Sequence, residues 1–206
     1  MAPRRREDLE AMRESSRAAI MQAALRLFAE RGYHATTISA IAREAGIAKG
    51  LVYNYFTSKQ ELLEQVVLLG FREFESVMPA LATARHPAER LRRLFELSET
   101  LIREKTEFFR LYFMVLLQVN RDERLREVIH RYSQILFDQA ADILRELGVR
   151  EPETEARVLS ALLDGIGLHY IVFSGQYPLR DTLNTALRHY LPAPEESRKS
   201  SAKEAG

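Results

Sequence analysis

The chain of 206 residues carries 30 Lys and Arg against 29 Asp and Glu, is 46% apolar and 29% charged, and contains no cysteine. This excludes a disulfide scaffold, thiolate zinc sites, iron–sulfur clusters and a cysteine nucleophile. It also leaves enough apolar mass for a real core. The net charge of +1 is unevenly placed: residues 1–60 hold ten basic against six acidic residues, and the remainder holds twenty against twenty-three. A basic front on an acidic body suits a polyanionic partner, although a solvated basic tail would give the same count. The longest apolar run, Leu111 to Leu117, spans seven residues, far short of a membrane crossing. No apolar stretch follows Arg4-Arg5-Arg6, so the expected location is the cytoplasm, with no membrane partner.

Leu, Ala, Glu and Arg dominate over the β-branched residues, which favours an all-α fold. Residues 1–13 read as a flexible basic arm. A first amphipathic helix follows, with Ile20, Ala24, Leu27 and Phe28 on one face, ended by Gly32. Thr36 or Thr37 caps a short second helix carrying Ile38, Ile41, Ala42 and Ala45 inward, stopped at Gly46. A third short helix turns Val52 and Phe56 inward. Ser58-Lys59-Gln60-Glu61 has the form of a capping box and opens a long fourth helix that runs towards Met78 and Pro79.

Pro87 opens a fifth helix with Leu91, Leu94, Phe95, Leu101 and Ile102 as its stripe. The sixth, near 105–119, is apolar nearly all round. The seventh starts at Asn120 or Asp122 and carries Leu125, Ile129, Tyr132, Leu136, Ala140, Ile143 and Leu147 up to Gly148. The eighth runs from Pro152 to about Phe173, and the ninth lies within 179–191. Residues 192–206 have no apolar side chain larger than alanine and read as a disordered tail. Nine helices result, with no strand pattern and no internal repeat.

Ala42, Gly46 and Val52 fall at the spacing of a helix-turn-helix. A small residue lets the third helix approach the second, glycine takes the turn, and valine fills the angle between them. Such a unit presents its last helix to a major groove. Tyr53 and Tyr55 have hydroxyls for phosphates, with core packing as the alternative for either. Lys59 at the head of the fourth helix has the same use, with an ordinary surface lysine as its alternative.

The run Gly32-Tyr33, Thr36-Thr37-Ile38, Ile41-Ala42, Ala45-Gly46-Ile47-Ala48-Lys49-Gly50, Val52-Tyr53, Tyr55-Phe56, Ser58-Lys59 and Glu61-Leu62-Leu63 resembles the N-terminal signature of the TetR family of bacterial transcriptional regulators. The resemblance covers roughly residues 16–63. It implies a helix-turn-helix DNA-binding domain over 14–58 and an effector-binding and dimerisation domain over 59–191. It further implies that Thr37 meets phosphate, that Lys49, Gly50 and Leu51 face bases, and that Tyr53, Tyr55 and Lys59 hold the backbone. Ala48 stands where the family often has a capping Ser or Thr, and Leu51 where it often has Thr. Leucine makes no hydrogen bond to a base but packs on a thymine methyl.

In the body, the resemblance implies an effector cavity. The candidates are Phe71, Phe74, Met78, Phe95, Phe109, Tyr112, Phe113, Gln118, Tyr132, Asp164 and His169, each of which singly also fits a simple core. Mostly apolar and aromatic, they point to a lipophilic or aromatic effector. In the family the last two helices pair with their copies. Here that assigns Leu162, Gly165, Ile166, His169, Phe173, Leu183, Leu187 and Tyr190 to a homodimer interface. Gly165 and Gly167 cost about 1 kcal/mol each inside a helix, which fits close approach of another backbone or packing within the chain.

The expected function is a repressor that binds a palindromic operator as a homodimer and is released by a small effector. An activator or effector-independent regulator of the same fold is the alternative, and an all-helical enzyme a remote one. The five histidines are scattered with no metal-ligand spacing, and no phosphate loop or nucleophile motif is present, so neither catalytic residues nor cofactors nor metals are assigned.

Overall fold

The computed structural model describes residues 6–77, 79, 83–117, 122–173 and 176–191, and of residues 6, 7, 73, 74 and 77 only the backbone. Phe74, Met78, Gln118 and the expected tail thus lie outside the described side chains. The helices are α1 (Arg6–Arg31), α2 (Ile38–Glu44), α3 (Lys49–Val52), α4 (Lys59–Val77), α5 (Pro87–Glu104), α6 (Thr106–Leu116), α7 (Glu123–Glu146), α8 (Pro152–Val172) and α9 (Leu179–Tyr190). The described residues form nine helices and no strand, an all-α fold.

The arm expected over 1–13 is helical from Arg6 onward. Asp8 and Glu10 sit in the first turns, where carboxylates favour the positive end of the helix dipole. Gly46, at φ +70°, closes α2. Its N–H bonds Arg43 O at 3.2 Å and Ile47 N–H bonds Ala42 O at 3.0 Å, the paired bonds of a Schellman end, which need a left-handed residue between them. Thr37, not Thr36, caps α2: Ala40 N donates to Thr37 Oγ1 at 3.1 Å. Thr36 is buried instead, and its hydroxyl donates to Leu27 O and Gly32 O at the end of α1.

The chain forms two compact units, residues 1–76 with 105–132, and residues 77–104 with 133–206. In the first, α6 packs along α1, and α1, α2 and α3 pack in sequence. Its core includes Ile20, Leu27, Phe28, Ile41, Val52, Phe56, Leu62, Val67 and Leu111. Residues 59–76 of α4 cluster with α1, α2 and α3 in this unit, and α6, far downstream, joins it by packing along α1. In the second unit α9 packs on α5 and α8, around Leu91, Phe95, Ile102, Leu144, Leu159, Ile166, Leu179 and Leu183. Glu99 on α5 binds both Arg103 and Arg180 at 3.1 Å, joining α5 to the head of α9.

Ile166 and Leu183, expected between two copies, are buried in the second unit's own core. Gly167 is buried there too. By contrast Val158, Leu162, Leu168 and Val172 of α8 and Phe173 just after it are exposed.

Glu151, before Pro152, holds φ 54° and ψ 54°, a left-handed conformation that costs an L-residue roughly 1–2 kcal/mol. Its side chain is exposed. Glu151→Gly is therefore expected to stabilise the protein by up to about 1 kcal/mol, net of glycine's larger unfolded-state entropy. The check is a higher urea midpoint at unchanged slope.

Candidate nucleic-acid interface

The four-residue turn 45–48 carries the chain from α2 into α3, and Val52 and Phe56, both essentially buried, pin the far side of α3 to the core. That orients the first residues of α3 outward. Lys49 and Gly50 are exposed and Leu51 is half-buried. No atom lies within 4 Å of where a Cβ at Gly50 would stand. Among the described residues no carboxylate pairs with Lys49, so its ammonium is available to an outside partner. Ala48 caps nothing, and α3 is only four residues long. Tyr53 is 50% exposed and Tyr55 half-buried, so neither is a core residue, and Tyr53 presents most of its ring to solvent. Thr37 is exposed, and its hydroxyl proton remains free to donate while its oxygen caps α2.

Lys59 is placed differently from an outward phosphate ligand. Its Nζ donates to Tyr33 O and Thr36 O, each at 2.8 Å, with His34 O at 3.5 Å. It also lies 4.3 Å from the centre of the Tyr33 ring, a cation–π contact. Several oxygens around one nitrogen suit the three N–H bonds of an ammonium. Burial pushes the lysine pKa down from its ordinary value. In this structure Lys59 pins the turn between α1 and α2.

Each neighbour of Lys59 grips a different segment. Ser58 Oγ accepts from Glu61 N at 3.0 Å and caps α4. Gln60 Nε2 donates to Asp122 Oδ2 at 2.9 Å. Glu61 Oε2 accepts from both Thr57 N and Thr57 Oγ1 at 2.6 Å. The capping box is therefore shifted: Glu61 reaches back to Thr57 rather than to the amide of Ser58. Asp122 charges its surroundings. The Tyr33 hydroxyl pKa is raised first by burial, then by Asp122 and Glu64. The Glu64 pKa is raised first by burial, then by Asp122. Farther along, Arg17 on α1 bonds Gln65 at 3.0 Å and lies over the Phe56 ring.

Five effector candidates gather in the first unit. Phe71 stacks on Tyr132 at 4.8 Å and 7° and meets Tyr112 edge-on at 5.8 Å. Phe109, Tyr112 and Phe113 follow along α6 with ring centres 5.2–6.4 Å apart. Phe108, which the sequence pattern did not single out as a site, joins them. Its ring lies against Gly70, where a Cβ would fall on ring atoms, so that glycine gives α6 its close approach to α4. Phe95, Asp164 and His169 belong to the second unit. Phe95 is buried, Asp164 half-buried, and His169 exposed, with its ring against Phe173 and Tyr177. Leu187 and Tyr190 on α9 are half-buried.

A helix-turn-helix with a free outward lysine, backed by a helical body, defines a DNA-binding regulator. Two family models match: bacterial regulatory proteins of the tetR family over residues 20–66, and a tetracyclin repressor-like C-terminal domain over residues 82–193. The chain belongs to the TetR family. It is 30% identical over 158 residues to the HTH-type transcriptional regulator BetI of Agrobacterium fabrum, covering 75% of this chain and 76% of that one. The BetI regulator of Rhizobium meliloti is 31% identical, covering 73% and 75%. A transcriptional regulator from Saccharomonospora viridis, solved in complex with choline, superposes with a TM-score of 0.77 at 24% identity, over 87% of this chain and 97% of that one. FadR of Bacillus subtilis, in complex with stearoyl-CoA, superposes with a TM-score of 0.70 at 19% identity, over 86% and 98%. The protein is thus a helix-turn-helix transcriptional regulator and not an enzyme. None of its described helices is long and apolar enough to cross a membrane.

The Thr57 bonds hold the Glu61 carboxyl below its ordinary 4.5, the hydroxyl contributing most. A carboxylate whose folded pKa is depressed stabilises the fold above its unfolded value, and that stabilisation is lost as pH falls through the folded value. Glu61→Gln is therefore expected to lower the melting temperature at neutral pH, with the gap to wild type closing as the pH drops below 4.5. Thermal melts of both proteins across that range check it.

Proposed function

We propose that the protein is a cytoplasmic repressor that binds a palindromic operator as a homodimer and is released by a small lipophilic or aromatic effector. The observation that carries this reading is the placement of the Phe71–Tyr132 cluster in the same compact unit as α1, α2 and α3. A ligand that parts those rings acts on helices packed with the DNA-binding ones. Phe and Tyr faces suit an acyl chain, and they also suit a quaternary ammonium through cation–π attraction. The choline and stearoyl-CoA bound by the two structural neighbours represent both chemistries. Thermal-shift titration with each probe tests the effector class, since a ligand at a hundred times its Kd raises stability by about 2.7 kcal/mol.

On the DNA side, Lys49 reads bases while Tyr53, Tyr55 and Thr37 hold phosphates. Lys49→Ala is expected to cost about 1–3 kcal/mol on the operator and much less on scrambled duplex. Lys59→Ala is expected to weaken both duplexes alike and to lower the melting temperature, because it releases the turn at 33–36. Titration against both duplexes at several salt concentrations separates the two roles.

A stripe of α8, with exposed Val158, Leu162, His169 and Val172 around a half-buried Gly165 at alternating steps of four and three, supports pairing of two copies. A contiguous apolar face of this kind is costly to leave in water. No atom stands within 4 Å of a Cβ added at Gly165, so the chain itself has no need of the glycine. Gly165→Leu is expected to leave the helical fold intact while abolishing the dimer, and with it the concentration dependence of the melting temperature. Sedimentation velocity reads this directly, and an intact dimer would remove the face from the proposal. Half-sites one helical turn apart, about 34–36 Å, are the matching operator geometry.

A further inference from the structure

The carboxylate of Asp122 does two things at once. Its Oδ1 accepts from Leu125 N at 3.2 Å and caps α7, while its Oδ2 takes the amide of Gln60 at 2.9 Å. Gln60 is the immediate neighbour of Lys59, whose ammonium holds the carbonyls of Tyr33 and Thr36. Thr36 precedes Thr37, the cap of α2. Ten residues along α7 from Asp122, about 15 Å at 1.5 Å per residue, Tyr132 stacks on Phe71. Phe71 in turn lies eleven residues, about 17 Å, along α4 from Gln60. The two helices are therefore tied at two matched heights, once by an aromatic stack and once by a charge-assisted hydrogen bond. Two ties fix both the distance and the angle between rods. One tie fixes only a point about which they swing.

We propose that Gln60 and Asp122 are positioning residues, whose bond converts a change at the Phe71–Tyr132 stack into movement of the 33–36 turn and of α2 beyond it. The inference rests on the DNA-binding regulatory reading above and adds the pair that carries the signal. With the bond in place, α7 and the head of α4 turn together, and Lys59 passes the motion to the turn. Without it, α7 pivots on the stack and the DNA-binding helices stay where they are.

The test is a double-mutant cycle in the full-length protein, using a duplex selected from a random library by the wild type. Tyr132→Leu perturbs the stack, and Phe71→Leu does so from the other side should the first variant fail to fold. Gln60→Ala breaks the tie. Asp122→Ser breaks it while keeping an oxygen to cap α7. The stack variant is expected to shift affinity for the selected duplex about tenfold in the wild-type background, and less than about threefold in either broken background. Gln60→Lys, which restores a donor to Asp122, is expected to restore the full shift; a merely structural role would not predict that rescue. Equal shifts in all backgrounds, or no shift in the wild type, overturn the proposal. If selection enriches no sequence, the specific DNA-binding reading fails and the joint is judged by amide exchange. Ala40 and Ile41, whose N–H groups bond Thr37, are then expected to exchange faster on stack perturbation only where Gln60 and Asp122 are intact. Identical exchange in every background overturns it.

Discussion

Four consecutive residues at the head of α4 meet different needs. Ser58 caps the amide of Glu61, Lys59 gathers the carbonyls of the α1–α2 turn, Gln60 reaches α7, and Glu61 holds the approach from α3. A helix N-terminus is the right place for such a node. Its amides are unsatisfied, its dipole favours the Glu61 carboxylate, and its first-turn side chains fan out in all directions. Lys59 is the member whose loss would be felt most widely. The carbonyls it binds belong to a turn with no regular partner of its own, and buried carbonyls without donors are costly. The direction of the exposed residues at the start of α3 depends on that turn, since α2 begins where it ends.

The aromatic cluster sits at the other end of the same helix. Phe71 touches α6 through Phe108 and Tyr112 and α7 through Tyr132, while Gly70 beside it admits the Phe108 ring. A ligand that inserts among these rings must separate them, and in a close-packed interior displaced rings carry their helices with them. α6 is the second rigid element involved, because it packs along α1 as well as carrying the rings.

Much of this was legible in the sequence where local chemistry decides the outcome. Gly46 and Gly148 marked their helix ends because only a left-handed residue closes those turns. The α5 stripe was buried as its period required. The residue types at 42, 46 and 52 marked the helix-turn-helix. What stayed hidden involves acceptors without a side-chain signature or partners far apart in the chain. Lys59 looked like a phosphate ligand because backbone carbonyls at 33 and 36 leave no mark on a sequence. Gln60 and Asp122 are 62 positions apart, and neither breaks a periodic pattern. Ile166 fell to the dimer face because the resemblance assigns whole helices to pairing, and α8 shows little periodic contrast between its faces. Such a helix gives no phase from which to tell core from interface. Thr36 and Thr37 were equivalent candidates until burial sent one hydroxyl back into α1 and left the other to cap α2.

The interleaving of residues 1–76 with 105–132 also bears on how the protein is made. As the chain leaves the ribosome, the DNA-binding helices emerge complete in sequence but without α6, the surface on which α1 rests. Some thirty residues, α5 among them, must be synthesised before that floor arrives. During this interval the apolar stripe of α1, with Ile20, Ala24, Leu27 and Phe28, has only α2 and its immediate neighbours to cover it. Until α6 arrives, the nascent DNA-binding helices bury less apolar surface than they do in the finished unit. A graft of these helices onto another regulator's body would have to carry the segment 105–132 with it, because a transplant cut at the end of α4 would leave behind the helix on which α1 rests.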